Sequence, residues 1–479
     1  MPKPKSGRDG LPAEQNTLRL GKPIAAIVGG GSLFLAALDF SINVNLPNFR
    51  TDLGETLISV QLIIIMYHGA RSGTGFIAGD VADRIGIKWP LVAGIILYTL
   101  AVGLISLQGS LITIVALRIP QGIGVAILFT LGPALVTRAF GQSRRGIGLG
   151  VILAAMGAGT LVGTLGGGFL GQQIGWPAIF WARVPIGAML LITTVIWLNG
   201  KYAEPVPDRS SSRFDLFGSI LLFVTLFVLV LAISFARVEG WIDPVPITLF
   251  VLSAMLGFAF TRGKKSGLIT IIPSGLMDFN GFKPSAASHL LLTVAAFVMW
   301  FLFPFYITDV MGRTGLVLGA ILALMAAMNL AGSVIGGWLS DSIGDRKMVF
   351  AGAAITAIGL TMVGTTGDTP AMSAVMLATA ILGLGFGIHQ AAVYALALRA
   401  APQEHAGAAS AALSVTQTIG TVLSIALMTS LLNWRMSAVD TFFDEAYRFS
   451  FVAAAGIAVM AGLIVARRTY RCPAATLKA

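Results

Sequence analysis

The sequence predicts an all-α membrane protein of about 14 transmembrane helices carrying an internal repeat. Three observations support this. Only 11% of the 479 residues are charged while 56% are hydrophobic, against about a quarter charged in an ordinary soluble chain. Apolar stretches of about 20 residues, the length a helix needs to cross a bilayer, recur along the whole chain. Two interspan segments repeat one pattern of Gly, Asp and a cation 258 residues apart. This balance excludes a soluble enzyme, a nucleic-acid-binding protein and a disordered scaffold. The single cysteine, Cys472, allows no internal disulfide. Residues 1–22 lack the apolar core of a signal peptide and are expected to be a cytosolic tail.

Spans are expected near 24–47, 58–78, 89–108, 111–136, 147–170, 177–199, 216–236, 245–261, 286–308, 316–337, 348–367, 372–398, 407–432 and 449–466, with 245–261 the shortest. Their length, continuity and Gly, Ala and Leu content make them helices, since a membrane barrel would alternate over ten-residue segments. Of the 32 Lys and Arg, 24 fall on one side of these spans and 5 on the other. The remaining three, Arg71, Arg118 and Arg183, lie inside spans. By the positive-inside rule the basic side is cytoplasmic, with both termini inside a plasma (inner) membrane. The net charge of +11 therefore reports topology, and no nucleic-acid partner is implied.

The repeat follows the second and tenth spans, as Gly79-Asp80-Val81-Ala82-Asp83-Arg84-Ile85-Gly86-Ile87-Lys88 and Gly337-Trp338-Leu339-Ser340-Asp341-Ser342-Ile343-Gly344-Asp345-Arg346. Both were expected in loops on one side of the membrane, and parallel repeats about an axis along the membrane normal are a transporter architecture. Embedded ionisable groups are costly and mark function. Asp39 is the one acid placed firmly inside a span. At 1.5 Å per residue it lies about 12 Å from the outer end of its helix, His68 roughly 15 Å, Arg118 about 11 Å and Arg183 roughly 9 Å. Four helices thus place a polar group in one layer, where they could converge on a cavity. Asp39 is the expected proton carrier, because burial favours its neutral form and Arg118 its carboxylate. Alternatively, Asp39 and Asn43, four apart on one face, only bond helix to helix, and Arg118 is structural glue. Arg183 either attracts an anionic substrate or snorkels outward. His389-Gln390 reads as a bonded core histidine. Gly159, Gly163, Gly167 and Gly171 form a four-residue stripe for close helix approach, static or sliding.

These residues resemble the major facilitator superfamily, whose signature runs G-x-L-A-D-R-x-G-R-K. Arg118-Ile119-Pro120-Gln121-Gly122-Ile123-Gly124 is similar to the family's R-x-x-Q-G-x-G, and Leu38 to Pro47 to the L-D-x-T-I-V-N-V-A-L-P element of its 14-span drug/proton antiporter branch, one residue short. Phe214-Asp215-Leu216-Phe217-Gly218 and Glu239-Gly240-Trp241 flank the seventh span as in that branch. The fifth-span run Gly163 to Gly168 lacks the branch's proline, and Arg183 replaces an Asn of the sixth-span pattern. His68 and Arg71 lie outside the pattern, while Tyr67 sits at a usual aromatic position.

The resemblance implies two six-helix pseudo-symmetric halves, 23–200 and 266–466, with a linker helix pair at 201–265 and tails at 1–22 and 467–479. It implies proton-coupled export of amphiphilic small molecules by alternating access, as a monomer. Asp39 and His68 would couple protons. Asn43, Tyr67, Arg118, Gln121 and Arg183 would line the substrate cavity. Gly79, Asp83, Arg84, Gly86, Asp341 and Gly344 would form a conformational latch, with Asp83 facing Arg144 or Arg145. No cofactor or metal is expected, and no G-x-x-x-x-G-K-[ST] is present to bind ATP. The alternatives are transport of an anionic metabolite or lipid, suggested by three embedded arginines, and a non-transporting receptor or scaffold on the same fold. An enzyme is not expected, since one embedded carboxylate provides no catalytic pair.

Overall fold

The computed structural model describes residues 12–140, 144–198, 204, 215–269, 281–366, 371–400, 406–439 and 443–466. Phe214, Cys472, most of the first tail and all of the second lie outside the described residues, as does the side chain of Arg145. Among the described residues there are helices and no strands.

Among the described residues, fourteen helical spans follow one another. The first, α1, is built from Pro12–Ala37, a 3₁₀ turn at Leu38–Phe40 and Ser41–Asp52. Then come α2 (Leu62–Ile85), α3 (Lys88–Ile105), α4 (Leu111–Phe140), α5 (Arg145–Gln173) and α6 (Pro177–Trp197). The pair α7 (Leu216–Glu239) and α8 (Pro244–Lys265) precedes α9 (Phe282–Val310), α10 (Gly315–Ile343), α11 (Asp345–Gly364), α12 (Met372–Ala400), α13 (Ala406–Val439) and α14 (Phe443–Ala466). Thirteen are long and apolar enough to cross a membrane. The other, α2, has 24 residues, with His68, Arg71, Asp80, Asp83 and Arg84 interrupting its apolar run.

Local chemistry sets several ends. Asp215 caps α7 by accepting from Gly218 N at 2.8 Å, and Asp243 caps α8 by accepting from Val245 N at 3.0 Å. These caps satisfy amides that have no partner within their own helix. The α8 stretch, expected to be short, runs on through Arg262, Lys264 and Lys265, cations that suit a helix C-terminus.

The repeated motifs lie on the last turns of α2 and α10 rather than in loops. Nothing breaks either helix before Gly86 and Gly344, which close them at φ 93° and 100°. Their amides bond Ala82 O at 3.0 Å and Ser340 O at 3.1 Å. A side chain would strain either position.

Helices α1–α6 and α9–α14 form the two halves. Packing pairs repeat between them: α2 on α4 and α10 on α12, α3 on α4 and α11 on α12. The halves meet along α5·α10, α2·α13 and α1·α9, and the inserted α7 lies against α2 and α13 while α8 packs on α7. The glycine stripe of α5 faces α1 in its own half. A Cβ on Gly159 would sit 2.5 Å from Phe34 O, on Gly163 2.9 Å from Leu38 O, and on Gly167 2.5 Å from the Ser41 side chain. Gly171 faces Asn45, whose Nδ2 donates to Gly167 O at 2.8 Å. The neighbouring row of α5 makes the contact between halves: a Cβ on Gly168 or Gly319 would lie 2.5 Å from Gly315 O or Thr164 O.

Replacing Gly167 by Val should therefore push α5 off α1, at about 1–3 kcal/mol for an overpacked core. Gly166→Ala, where an added Cβ meets nothing within 4 Å, is the control. In thermal unfolding of detergent-purified protein, the first should lower Tm by several degrees and the second should leave it unchanged.

Candidate functional site

The polar layer expected in the first half exists, and its centre is Asp39. This residue sits on the 3₁₀ turn that interrupts α1, a local change of helix pitch that often marks a hinge. It is 8% exposed. Its Oδ1 accepts from Tyr98 OH of α3 at 3.1 Å and from Gln121 Nε2 of α4 at 2.8 Å. The same oxygen takes an ion pair from Arg183 Nη1 of α6. Oδ2 is buried without a hydrogen-bond partner among the described residues. Four helices thus meet on one carboxylate oxygen and leave its twin unused.

Arg183 neither snorkels outward nor stands open to an anion. It is 2% exposed, and its Nη2 donates to Leu38 O at 3.2 Å and to Ser41 Oγ. The expectation of a free cavity cation fails because the α1 turn brings a carboxylate, a hydroxyl and a carbonyl to the guanidinium. Arg118 does not touch Asp39 directly. Its Nε donates to Ile63 O at 2.9 Å and its Nη1 to Gln121 Oε1 at 2.7 Å. Gln121 therefore links the second guanidinium to the carboxylate, while the Tyr67 ring lies 4.1 Å beneath Arg118.

The other candidate residues fall elsewhere. Asn43 is buried but makes no hydrogen bond to Asp39; Asn45 makes the link between α1 and α5 instead. His68 lies outside the Asp39 network, edge-on between Tyr67 at 5.1 Å and Phe297 of the second half at 5.9 Å. His389 is a core histidine, its Nδ1 3.1 Å from Val349 O. Asp83 pairs with Arg138 at 3.0 Å, because α4 continues to Phe140 and carries Arg138 in its last turn; of its expected partners Arg144 or Arg145, the side chain of Arg145 lies outside the described residues. Arg84 reaches back to Asp80 at 3.4 Å. The second half repeats the arrangement, with Arg399 at the end of α12 paired to Asp341 and, at 3.5 Å, to Asp345. Gly79 makes no close approach: a Cβ there would stand 3.8 Å from Thr130.

Tyr98, Ser41, Arg138 and Arg399 were missed in the sequence. Applying the depth arithmetic to uncharged polar groups would have flagged Tyr98, ten residues into α3. Arg138 and Arg399 occupy matching last turns of α4 and α12.

A family model for the Major Facilitator Superfamily matches residues 29–282 and 285–478. The chain belongs to the major facilitator superfamily. It is similar to the tetracenomycin C resistance and export protein of Streptomyces glaucescens, 28% identical over 85% of this chain and 75% of that one. It is also similar to the multidrug resistance protein Stp of Mycobacterium tuberculosis (strain CDC 1551 / Oshkosh), 27% identical over 87% and 76%. Among solved structures, a peptide transporter superposes with a TM-score of 0.69 at 13% identity, covering 97% of this chain and 95% of that chain. As a superfamily member the chain is a multi-pass membrane transporter.

Removing one partner of a buried ion pair strands the other charge. Asp39→Asn and Arg183→Gln should each destabilise the protein, and the double variant should lose less than their sum. The coupling, read from unfolding of all four proteins, should exceed the roughly 1 kcal/mol ceiling of an exposed pair.

Proposed function

We propose that this transporter is a proton-coupled exporter of amphiphilic small molecules, working as a monomer by alternating access, with its basic side cytoplasmic. The observation that carries the proposal is Asp39: a buried carboxylate whose Oδ1 is engaged from three helices and whose Oδ2 has no partner. A proton arriving on Oδ2 neutralises the carboxylate and weakens its hold on Arg183 and Gln121. Arg183 then keeps only Ser41 and the Leu38 carbonyl, both on the α1 turn.

The turn is well placed to pass that change on. Next to Asp39, Phe40 packs on Trp300 of α9 at 4.6 Å. Further along α1, Arg50 pairs with Asp309 of the second half at 2.8 Å. Gln61 donates to Thr429 of α13 at 3.0 Å. These links join the halves on the side away from the basic loops. Along the α5·α10 seam, Gly157 still approaches Leu330, at 2.9 Å from an added Cβ. Two turns nearer the basic side on the same faces, Gly150 and Gly337 face open space. This arrangement supports a cavity closed away from the basic side and opening towards it.

Export is supported by the relatives named for resistance and export. Efflux from cells of a panel of cationic, neutral and anionic amphiphiles, with and without a protonophore, tests the function as a whole. Asp39→Asn should abolish uphill transport driven by a pH gradient in proteoliposomes while preserving substrate binding. Uphill transport by the Asn variant would place the proton elsewhere. Asp83→Asn should slow turnover several-fold with substrate KM nearly unchanged, because the Asp83–Arg138 pair lies at the basic rim. A large rise in KM at normal turnover would contradict the latch role.

A further inference from the structure

Of the three embedded arginines, two are compensated within the protein. Arg183 has Asp39, and Arg118 has the Ile63 carbonyl and Gln121. Arg71 of α2 differs. Among the described residues it has no ion pair and no hydrogen bond, and its guanidinium lies over the Phe129 ring at 4.4 Å. Arg71 is only partly buried and its guanidinium nitrogens are not sealed in, so the cation–π contact, worth about 0.5–2 kcal/mol, holds it without closing it off. Stacking occupies the face of the guanidinium and leaves its in-plane N–H donors free for a planar acceptor.

The surroundings of Arg71 belong to the space between the halves. Its charge acts on the Tyr394 phenol of α12, in the second half, and on His68. His68 precedes it by three residues, so the two share a helix face. The His68 Nδ1 is buried without a partner and its ring meets Phe297 of the second half. Phe129, Phe297 and Tyr394 are all partly buried. The corner therefore combines an uncompensated cation, an orphaned imidazole nitrogen and aromatic rings from both halves.

We propose that Arg71, with His68, anchors the acidic group of the substrate, and that the ligand is an amphiphile with one carboxylate on an aromatic or apolar body. The proposal rests on the transporter reading and names the substrate class it would serve. A soluble aromatic acid and a fatty acid share this chemistry.

The test uses the full chain in detergent and two matched probes, 1-pyrenebutyrate and a pyrenebutyl-trimethylammonium salt, followed by fluorescence anisotropy. The wild-type protein should prefer the butyrate. Arg71→Gln should weaken butyrate binding about tenfold or more, about 1.4 kcal/mol, and leave the ammonium probe unchanged or tighter. Arg71→Lys, which keeps the charge but not the planar fork, should fall between them. Without any variant, bound butyrate should slow phenylglyoxal modification at Arg71, read by peptide mass spectrometry. Oleate competing with butyrate assigns the site to lipid acids as well, and its failure to compete assigns it to soluble aromatic acids. An unchanged butyrate-to-ammonium ratio in Arg71→Gln, or no protection of Arg71, overturns the proposal. Proton-driven flux of the ammonium probe alone would leave the transport function standing while the anion site falls. Arg71-dependent butyrate binding without proton-driven flux would do the reverse.

Discussion

The structure is organised around one carboxylate inside an apolar bundle. A charge in that setting is tolerated only with an opposite charge and hydrogen bonds close by. Asp39 obtains both by drawing on α3, α4 and α6 at once, through Tyr98, Gln121 and Arg183. The half containing α1–α6 is thereby tied at its centre by a single oxygen. The arrangement is also poised. In the proposed proton-coupled cycle, protonation would remove the reason for the ion pair and leave a buried guanidinium that must find other acceptors. A neutral hydrogen-bonded residue at position 39 would hold the same helices with no such dependence on a proton.

How far such a change travels depends on what α1 touches. The helix is interrupted at Leu38–Phe40, so its two stretches are joined where the charge sits. One flank runs along the glycine stripe of α5, where backbone approaches backbone. The other reaches the second half through Phe40–Trp300 and Arg50–Asp309. The counterpart α9 is interrupted too, at Phe297 and again by a π-turn at Tyr306–Val310 just after Pro304, which lacks an amide donor. Both first helices of the two halves are thus jointed where they face each other.

Much of this was legible in the sequence, for physical reasons. Apolar length reports crossing, and the spacing of Gly, Asp and cation reports the repeat, because helix ends need a left-handed residue and a nearby counter-charge. Depth along a helix identified the shared layer of Asp39, Arg118 and Arg183 because rise per residue is constant. Depth does not report rotation about the helix axis or the partner across the gap. Arg183 was therefore read as meeting an anion or snorkelling, the role of Asn45 between α1 and α5 went unseen, and Arg138 was not recognised as a partner of Asp83. Those distinctions arise where the end of one helix and the side chains of another meet, which one chain's periodicity does not encode. The pair α7 and α8 was visible as apolar stretches, but not its placement against α2 and α13.

The charges divide into two classes by their surroundings, and the proposed alternating-access cycle would use both. The rim pairs are wet: Asp83 and Arg138 are 24% and 26% exposed, and Asp341 and Arg399 are 73% and 56% exposed. Pairs of that kind contribute about 0–1 kcal/mol, little enough to break and re-form in each cycle without trapping one state. The side chains of Asp39 and Arg183 are only 7% and 3% exposed, and their separation is costly while both are charged. A latch built like the central pair would lock the transporter. A coupling site built like the rim pairs would open without its proton and dissipate the gradient. Under the proposed proton coupling, placing the strong pair at the joint of α1 and the weak pairs at the ends of α4 and α12 would make the proton, rather than the rim, the step that licenses movement.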